Sequence, residues 1–437
     1  MEYFVIGCLV IFILISIMRK KYLLTPVTFF SGVWIVVLFL SSLKLYGMID
    51  YSEKAIWLVL LSNTFFFIGN LSNKTIKIKK EAKNAHIPTS SSLYEGHYSI
   101  NMTIVYSCIL LSILFLFIFG IQLIQLLRRG IPYHTIREMF FGYGDSDKII
   151  DNGIFMNFFQ WIIVGIVNAL MPICLIELFD QNKHKLMIML GLAIAIVYTL
   201  VTAGRITIFI LAIYMAILLY QYNSTIPPKI KKRLIIAIAL VGAMLFLMSN
   251  LREGYNAGNQ VSSSYAYFTI PMPLLSQWID YVDTNNIRTY GLSLIYGIIE
   301  FVQWGLHAID ITIPGLEGVR EVINAPQDIW VVIFTNPKGW YNAFCSAIYF
   351  WYLDFGVIGT AIIPFVLGLI SNNVFLKVLR KKSKKSLFYY LFIVQLLVVC
   401  FMRFQTITPT FFITLIIIRI TIKKRRRMNL RLLYLDK

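Results

Sequence analysis

The chain has 437 residues, of which 58% are hydrophobic and only 14% are charged. A soluble domain carries roughly 25% charged residues, so this composition excludes an ordinary water-soluble protein. The net charge of +19 comes from short basic clusters between apolar stretches, a distribution that sets orientation in a membrane and argues against nucleic-acid binding.

Apolar stretches long enough to cross a bilayer, about 20 residues each, recur along the chain. We predict an all-α, polytopic membrane protein with about eleven transmembrane helices, near residues 2–18, 23–43, 54–71, 102–127, 154–178, 186–203, 206–222, 234–250, 354–376, 387–403 and 407–422. A single helix over 186–222 would measure about 55 Å against a hydrocarbon core of about 30 Å. This stretch is therefore expected to fold back at Thr202-Ala203-Gly204-Arg205.

The distribution of basic residues predicts the orientation. With the N-terminus outside, the inner segments hold 28 of the 40 Lys and Arg residues when Arg419, at the inner end of the last span, is included. The opposite orientation would place the basic runs at 377–385 and 423–427 outside, against the positive-inside tendency. The first apolar run ends at Arg19 without a small-residue cleavage site, which indicates a retained span. We therefore expect a multi-pass protein of a bacterial-type cytoplasmic membrane.

Three regions follow from this topology: a membrane bundle of about eight spans over 1–250, a large outer loop over 251–353, and a bundle of about three spans with a basic tail over 354–437. Within the loop, the apolar segment 291–309 is interrupted by Glu300, Gln303 and His307, which share one helical face. Such a helix suits the membrane interface or a re-entrant position. If it crossed the membrane instead, every later segment would change sides.

Arginines at the predicted outer ends of spans are candidate anion ligands. Arg205, Arg252 and Arg403 hold such positions. A guanidinium is always charged and matches phosphate oxygens bidentately, and an ionisable residue at membrane depth indicates a site by default. The alternative, which we favour for Arg128 and Arg129, is that the side chain extends to the lipid headgroups.

Three residues are candidates for acid–base chemistry. Asp354 lies where the chain re-enters the membrane, where partial burial would raise its pKa, but it could equally cap a helix. Glu300 and His307 are the others, although a lone histidine is more often structural. The Asp-Ser-Asp triplet at 145–147 is weak evidence for a metal site, so no metal or cofactor is expected. Because no nucleotide-binding or hydrolase motif is found, an ATP-driven pump or a soluble-type nucleotide-sugar transferase is disfavoured.

Three short motifs carry a family resemblance. They are Thr202-Ala203-Gly204-Arg205 at the hairpin, Asn250-Leu251-Arg252 at the start of the large loop, and Tyr352-Leu353-Asp354-Phe355-Gly356-Val357-Ile358-Gly359 at the re-entry, preceded by Tyr341-Asn342-Ala343-Phe344. Together with the many spans and the outer loop, they resemble the Wzy-type oligosaccharide repeat-unit polymerases of O-antigen and capsule synthesis. The resemblance covers most of the chain as architecture and only these stretches as motif.

The resemblance implies a helical fold like that of the GT-C glycosyltransferases. It also implies transfer of a growing glycan from undecaprenyl pyrophosphate to another lipid-linked unit at the outer face, without a nucleotide sugar. Arg205, Arg252 and Arg403 would bind the pyrophosphate. One of Asp354, His307 and Glu300 would take the proton of the acceptor hydroxyl. The implied partners are undecaprenyl-pyrophosphate-linked oligosaccharides, membrane lipids, a flippase and a chain-length regulator, with no nucleic acid.

Aromatic residues of the loop offer flat surfaces for sugar rings, with interface anchoring and packing as the alternative; they are Tyr255, Tyr265, Tyr267, Trp278, Trp304, Trp330 and Trp340. Two other functions remain open. An O-antigen ligase performs the same chemistry on a different acceptor. A flippase or exporter of lipid-linked glycans would need charged residues along a central path, whereas the predicted charges cluster at the outer ends.

Overall fold

A computed structural model describes residues 1–72, 98–141, 153–179, 184–222, 261–307, 309–381 and 383–424, with scattered residues between 227 and 243. Helices before residue 223 are α1 (Glu2–Lys20), α2 (Pro26–Ser42), α3 (Glu53–Leu71), α4 (Met102–Arg128), α5 (Tyr133–Phe141), α6 (Gly153–Phe158), α7 (Val164–Phe179), α8 (Lys185–Thr202) and α9 (Ile206–Gln221). Those after residue 260 are α10 (Ser263–Thr269), α11 (Pro271–Thr284), α12 (Leu292–His307), α13 (Leu316–Asp328), α14 (Ala347–Lys381), α15 (Lys384–Val399) and α16 (Pro409–Thr421).

Short elements complete the described fold. A π-helical turn (Phe159–Ile163) joins α6 to α7, and two 3-10 turns cover Leu45–Gly47 and Gln405–Ile407. Strand β1 (Tyr98–Ile100) pairs antiparallel with β4 (Ile422–Lys424), and β2 (Val331–Thr335) pairs antiparallel with β3 (Lys338–Tyr341).

Within the described residues, six helices are long and apolar enough to cross a membrane: α1, α3, α4, the continuous α6–α7, α8 and α14. Three shorter apolar helices, α2, α9 and α16, accompany them. These are the features of a helical, multi-pass membrane protein, as predicted. The count of eleven spans stays a prediction, because the predicted span 234–250 lies largely outside the described residues.

The helix ends form two groups. At one end, which we call the loop end, segment 261–346 packs where α2 ends and α3 begins, and the Ser52 amide donates to Ser276 Oγ at 2.9 Å. At the other, which we call the basic end, Lys384 Nζ lies 2.9 Å from Glu177 Oε1, joining the start of α15 to the end of α7. β1 and β4 also meet at the basic end, beside the start of α4 and the end of α16.

Helix α15 lies between two apolar cores. One core is built from α4 to α9, α16 and the C-terminal part of α14, and the other from α1 to α3, α10 to α13 and the N-terminal part of α14. Leu391 and Val394 of α15 belong to the first core, and Leu397 belongs to the second. A helix buried on nearly every side must be apolar all round, as α15 is over most of its length.

Helices α3 and α14 pack backbone to backbone. A Cβ atom on Gly69 would lie 2.1 Å from the carbonyl oxygen of Phe365, and one on Gly368 would lie 2.3 Å from that of Phe66. Small residues at a helix interface permit such an approach in membranes. Ser62 Oγ also donates to the carbonyl oxygen of Thr360 at 3.0 Å.

Helix α14 begins before the predicted re-entry point at 354. It starts at Ala347 and breaks at Phe355 and Gly356, the latter with φ 60° and ψ −146°, a conformation that suits glycine. Residues 347–353 are apolar and buried against the loop-end elements, so the helix extends to include them.

Helix α12 confirms the helix predicted over 291–309, ending at His307. Its inward face carries the buried Tyr296 and Gly297. Its outward face exposes apolar side chains, among them Ile295 (47%) and Ile298 (45%). Glu300 and Gln303 of the polar stripe are partly buried against the protein, whereas His307 at the helix end is exposed. The apolar face points away from the protein, which suits a helix bordered by lipid.

Candidate functional site

A cavity of about 340 Å³ lies at the loop end, between the π turn, α7, α8, α9, α15 and α16. Arg205 and Arg403 both line it. Two of the three predicted pyrophosphate ligands therefore line the same cavity, although they are far apart in the sequence. Amide side chains line it as well; they are Gln160, Asn168, Gln327, Gln395 and Gln405.

The predicted hairpin places Arg205. Helix α8 ends at Thr202, Ala203 adopts the left-handed conformation with φ 50°, and Arg205 is the N-cap residue of α9. Its guanidinium carbon lies 4.6 Å from the centroid of the Tyr267 ring, which supports the side chain by a cation–π contact. The first N–H groups of a helix lack intrahelical partners and carry partial positive charge, so this terminus favours an anion.

Arg403 reaches the cavity from the connection between α15 and α16. The predicted span 387–403 ends earlier, at Val399, whose carbonyl oxygen accepts from the Arg403 amide at 3.0 Å. The Arg403 side chain is exposed and lines the cavity. Thr408 and Thr410 line it too, so the first turn of α16 adds a second helix N-terminus.

Glu300 lies beside this cavity, on the inward face of α12. Burial raises the pKa of its carboxyl to about 7, against the opposing effect of the charges of Arg320 and Arg403. One turn earlier, a Cβ atom on Gly297 would lie 2.5 Å from the Thr408 carbonyl, so α12 rests directly on the cavity wall. Glu300 is thus coupled to a cavity-lining arginine without lining the cavity itself.

The π turn contributes an aromatic side chain to the wall. Trp161 lines the cavity, and its ring centroid lies 5.6 Å from that of Trp304. A π turn frees a backbone carbonyl from its regular helical bond, and Thr410 Oγ1 donates to the carbonyl oxygen of Gln160 at 2.9 Å. This bond fixes α16 to the π turn, a type of distortion frequent at functional sites.

Asp354 lies elsewhere, at the beginning of α12. Its wholly buried carboxylate accepts from Thr289 Oγ1 at 2.5 Å, from the amides of Gly291 at 3.0 Å and Ser293 at 3.1 Å, and from Ser293 Oγ at 2.5 Å. Four donors occupy the lone pairs that a general base would need. The geometry favours the capping interpretation, with the difference that Asp354 caps a neighbouring helix.

The rest of the re-entry motif also makes structural contacts. Tyr352 donates its hydroxyl to Asp283 Oδ1 at 2.6 Å and lies under the cations of Lys54 and Arg288. The desolvation of the Asp283 carboxyl is outweighed by its bonds to Lys54 and Tyr352, so its pKa is lowered. A Cβ atom on Gly359 would lie 2.0 Å from the Trp351 carbonyl oxygen. The motif therefore shapes the entrance of α14.

Other predicted residues are not brought to the cavity. His307 is exposed at the end of α12 and does not line it. Arg252 and the triplet at 145–147 lie outside the described residues. Of the loop aromatics within the described residues, Tyr267 lines the cavity and Trp304 supports it, while the others pack or are exposed: Tyr265, Trp278, Trp330 and Trp340.

The cavity amides were not among the predicted site residues. Gln160, Asn168 and Gln395 lie inside predicted spans and carry no charge, so charge and position do not distinguish them in the sequence. Their signal was nevertheless present, since an amide in an apolar span is costly unless it finds a partner.

No family model, curated protein or solved structure matches this chain. The resemblance to the repeat-unit polymerases therefore rests on the motifs and the architecture alone. A function must be argued from the cavity, its two arginines and the elements that hold them.

Proposed function

We propose that this protein is a glycosyltransferase that joins undecaprenyl-pyrophosphate-linked oligosaccharide repeat units into O-antigen or capsular polysaccharide. The reaction would take place at the outer face of a bacterial cytoplasmic membrane. One observation carries the proposal: Arg205 and Arg403 line one cavity at the loop end, together with the first turns of two helices. That combination suits a doubly charged pyrophosphate attached to a membrane lipid.

In this reaction the protein must stabilise the leaving group and accept the proton of the acceptor hydroxyl. The acceptor hydroxyl attacks the anomeric carbon of the donor glycan, the bond from that carbon to the pyrophosphate oxygen breaks, and the lipid pyrophosphate leaves with the electron pair. Arg205, Arg403 and the two helix N-termini would stabilise the charge that develops on the leaving group. The hydroxyl proton would pass through an intervening water to Glu300, which lies beside the cavity and whose pKa of about 7 suits a base acting near neutral pH.

Replacing either cavity arginine should stop chain extension. In cells carrying Arg205→Ala or Arg403→Ala, the ladder of glycan lengths on a gel should collapse to single repeat units that still reach the surface. Loss of one preorganised cationic donor typically costs about 100- to 1000-fold in rate. Arg128→Ala, which removes an exposed arginine at the end of α4, is the matched control and should keep the full ladder. Long chains in both cavity variants, correctly inserted, would reject the proposal.

The pH dependence of the chain-extension rate should reflect the ionisation of the Glu300 carboxyl. A base is active when deprotonated, so the initial rate in isolated membranes should rise about tenfold per pH unit below pH 7 and level off above about pH 8. Glu300→Gln should lower the rate at least ~100-fold and remove this rise. A Glu300→Gln protein that keeps both its rate and its pH profile would exclude Glu300 as the base.

The ladder of glycan lengths also distinguishes a polymerase from a ligase or a flippase. Loss of a ligase would leave no glycan joined to its final acceptor, whereas loss of a polymerase leaves single units joined. A flippase is disfavoured because the cavity arginines lie at the loop end, while the ion pair of Glu177 with Lys384 is buried at the basic end and outside the cavity. Loss of a flippase would leave no repeat units at the cell surface.

A further inference from the structure

The amide side chains of the cavity are almost free of protein partners. Among the described residues, Gln395 alone of the five makes a side-chain hydrogen bond, accepting from the Tyr214 hydroxyl at 2.6 Å. Gln395 is 4% exposed and Tyr214 is wholly buried. A buried amide normally finds partners for both its oxygen and its nitrogen. The Gln395 nitrogen is therefore available to a ligand in the cavity.

Two threonines that line the cavity, unlike its amides, use their side chains in hydrogen bonds within the protein. Thr410 donates to the Gln160 carbonyl oxygen at 2.9 Å, and Thr414 donates to the Gly165 carbonyl oxygen at 3.2 Å. These hydroxyls are used within the fold. The amides, by contrast, leave their hydrogen-bonding groups to the cavity. Among the described residues that line it there is no Asp, Glu, Lys or His, so the charge of the lining comes from its two arginines.

Building on the function proposed above, we propose a binding site for the sugar that is attached directly to the pyrophosphate. The site consists of three amide side chains and one indole, which we together call the amide wall: Gln160, Asn168, Gln395 and Trp161. The wall would select an uncharged sugar ring, with hydroxyl or N-acyl substituents, over a ring that carries a free amine.

The chemistry of the wall supports this choice. A carboxamide donates and accepts at once, as neighbouring sugar hydroxyls require, and Tyr214 fixes the orientation of Gln395. Trp161 offers an aromatic face for the apolar C–H side of a ring and is braced by Trp304. A protonated amino sugar would meet two guanidinium groups, and the described lining residues include no carboxylate, since Glu300 lies beyond the lining; this disfavours the charged sugar.

Binding to purified protein in lipid nanodiscs tests the inference. The probes are a polyprenyl pyrophosphate without sugar and the same lipid carrying glucose, galactose, N-acetylglucosamine, N-acetylgalactosamine or glucosamine. At least one uncharged sugar should tighten binding about tenfold over the sugar-free lipid, which is about 1.4 kcal/mol. The glucosamine lipid should bind about tenfold more weakly than its N-acetyl form. If no uncharged sugar tightens binding, or glucosamine binds equally well, the inference is wrong.

Variants separate the sugar subsite from the phosphate site. Gln160→Leu and Gln395→Leu should each reduce the preference for the sugar-bearing lipid to less than about 2-fold, and Trp161→Phe should keep more of it than Trp161→Ala. Gln125→Leu, at an exposed position of α4, is the matched control and should keep it fully. Arg205→Ala should weaken all probes alike, including the sugar-free lipid.

The two proposals fail in different ways. A preference retained in both glutamine variants overturns the amide wall, even where Arg205→Ala still weakens every probe. Equal binding of the sugar-free lipid by the parent and Arg205→Ala overturns the phosphate site, whether or not the sugar preference depends on the glutamines.

Discussion

Asp354→Ala should destabilise the protein severely, with a lower melting temperature in detergent and loss of the monodisperse peak in size-exclusion chromatography. The substitution removes the acceptor of the Thr289 hydroxyl and of the Gly291 and Ser293 amides, while the Ser293 hydroxyl can still donate to the Phe350 carbonyl oxygen. Each donor left without an acceptor costs about 1–3 kcal/mol, so the total is on the order of 3 kcal/mol or more. Asp354→Asn, which keeps the shape and one acceptor oxygen, should be milder.

The control is Asp280→Ala, which removes an exposed carboxylate from α11 and should leave the melting temperature unchanged. The comparison also decides between the two interpretations of Asp354. An Asp354→Ala protein that melts like the parent, yet makes only single repeat units, would identify Asp354 as a catalytic residue and contradict its structural role.

Gly69→Ala and Gly368→Ala should each separate α3 from α14. The added Cβ atoms would lie 2.1 Å and 2.3 Å from backbone carbonyl oxygens, and a backbone atom cannot rotate away as a side chain can. Overpacking commonly costs about 1–3 kcal/mol, and the rigid contact here places the cost at the upper end of that range or above. Thermal melting in detergent and the yield of folded protein would measure it.

Gly32→Ala is the control, because a Cβ atom there meets nothing within 4 Å. It should be neutral or stabilise the protein by up to about 1 kcal/mol, since alanine favours a helix over glycine. The double variant at positions 69 and 368 should cost less than the sum of the single costs, because one separation of the helices relieves both contacts. Additive costs would mean that the two glycines lie in independent interfaces.

Much of the fold could be predicted from hydropathy because each helix is long, apolar and local in sequence. The reversal at Thr202 and Arg205 followed from length alone, and the helix at 291–309 followed from the period of its polar residues. The partners of Asp354 could not be predicted, because Thr289, which donates to its carboxylate, is 65 residues away in the sequence.

The candidate site could be predicted only in part, for the same reason. The sequence singled out Arg205, Arg403 and Glu300 one by one, by charge and position. It could not indicate that the two arginines share a cavity, or that Glu300 lies beside it, because helix packing decides this. It favoured no single base among Asp354, His307 and Glu300, which the structure shows in three different surroundings.

The contact of α3 with α14 has a consequence for biogenesis. The Ser62 and Thr360 atoms that bond are 298 residues apart, so at about 5–20 residues per second the ribosome needs roughly 15–60 s to supply the second partner. During that interval α1 to α3 can hold together through Ser31 with Asn63 and through Lys20 with Asn70. We infer that α1 to α3 assemble in the lipid first, and that the bundle is complete only after α14, α15 and α16 have been translated.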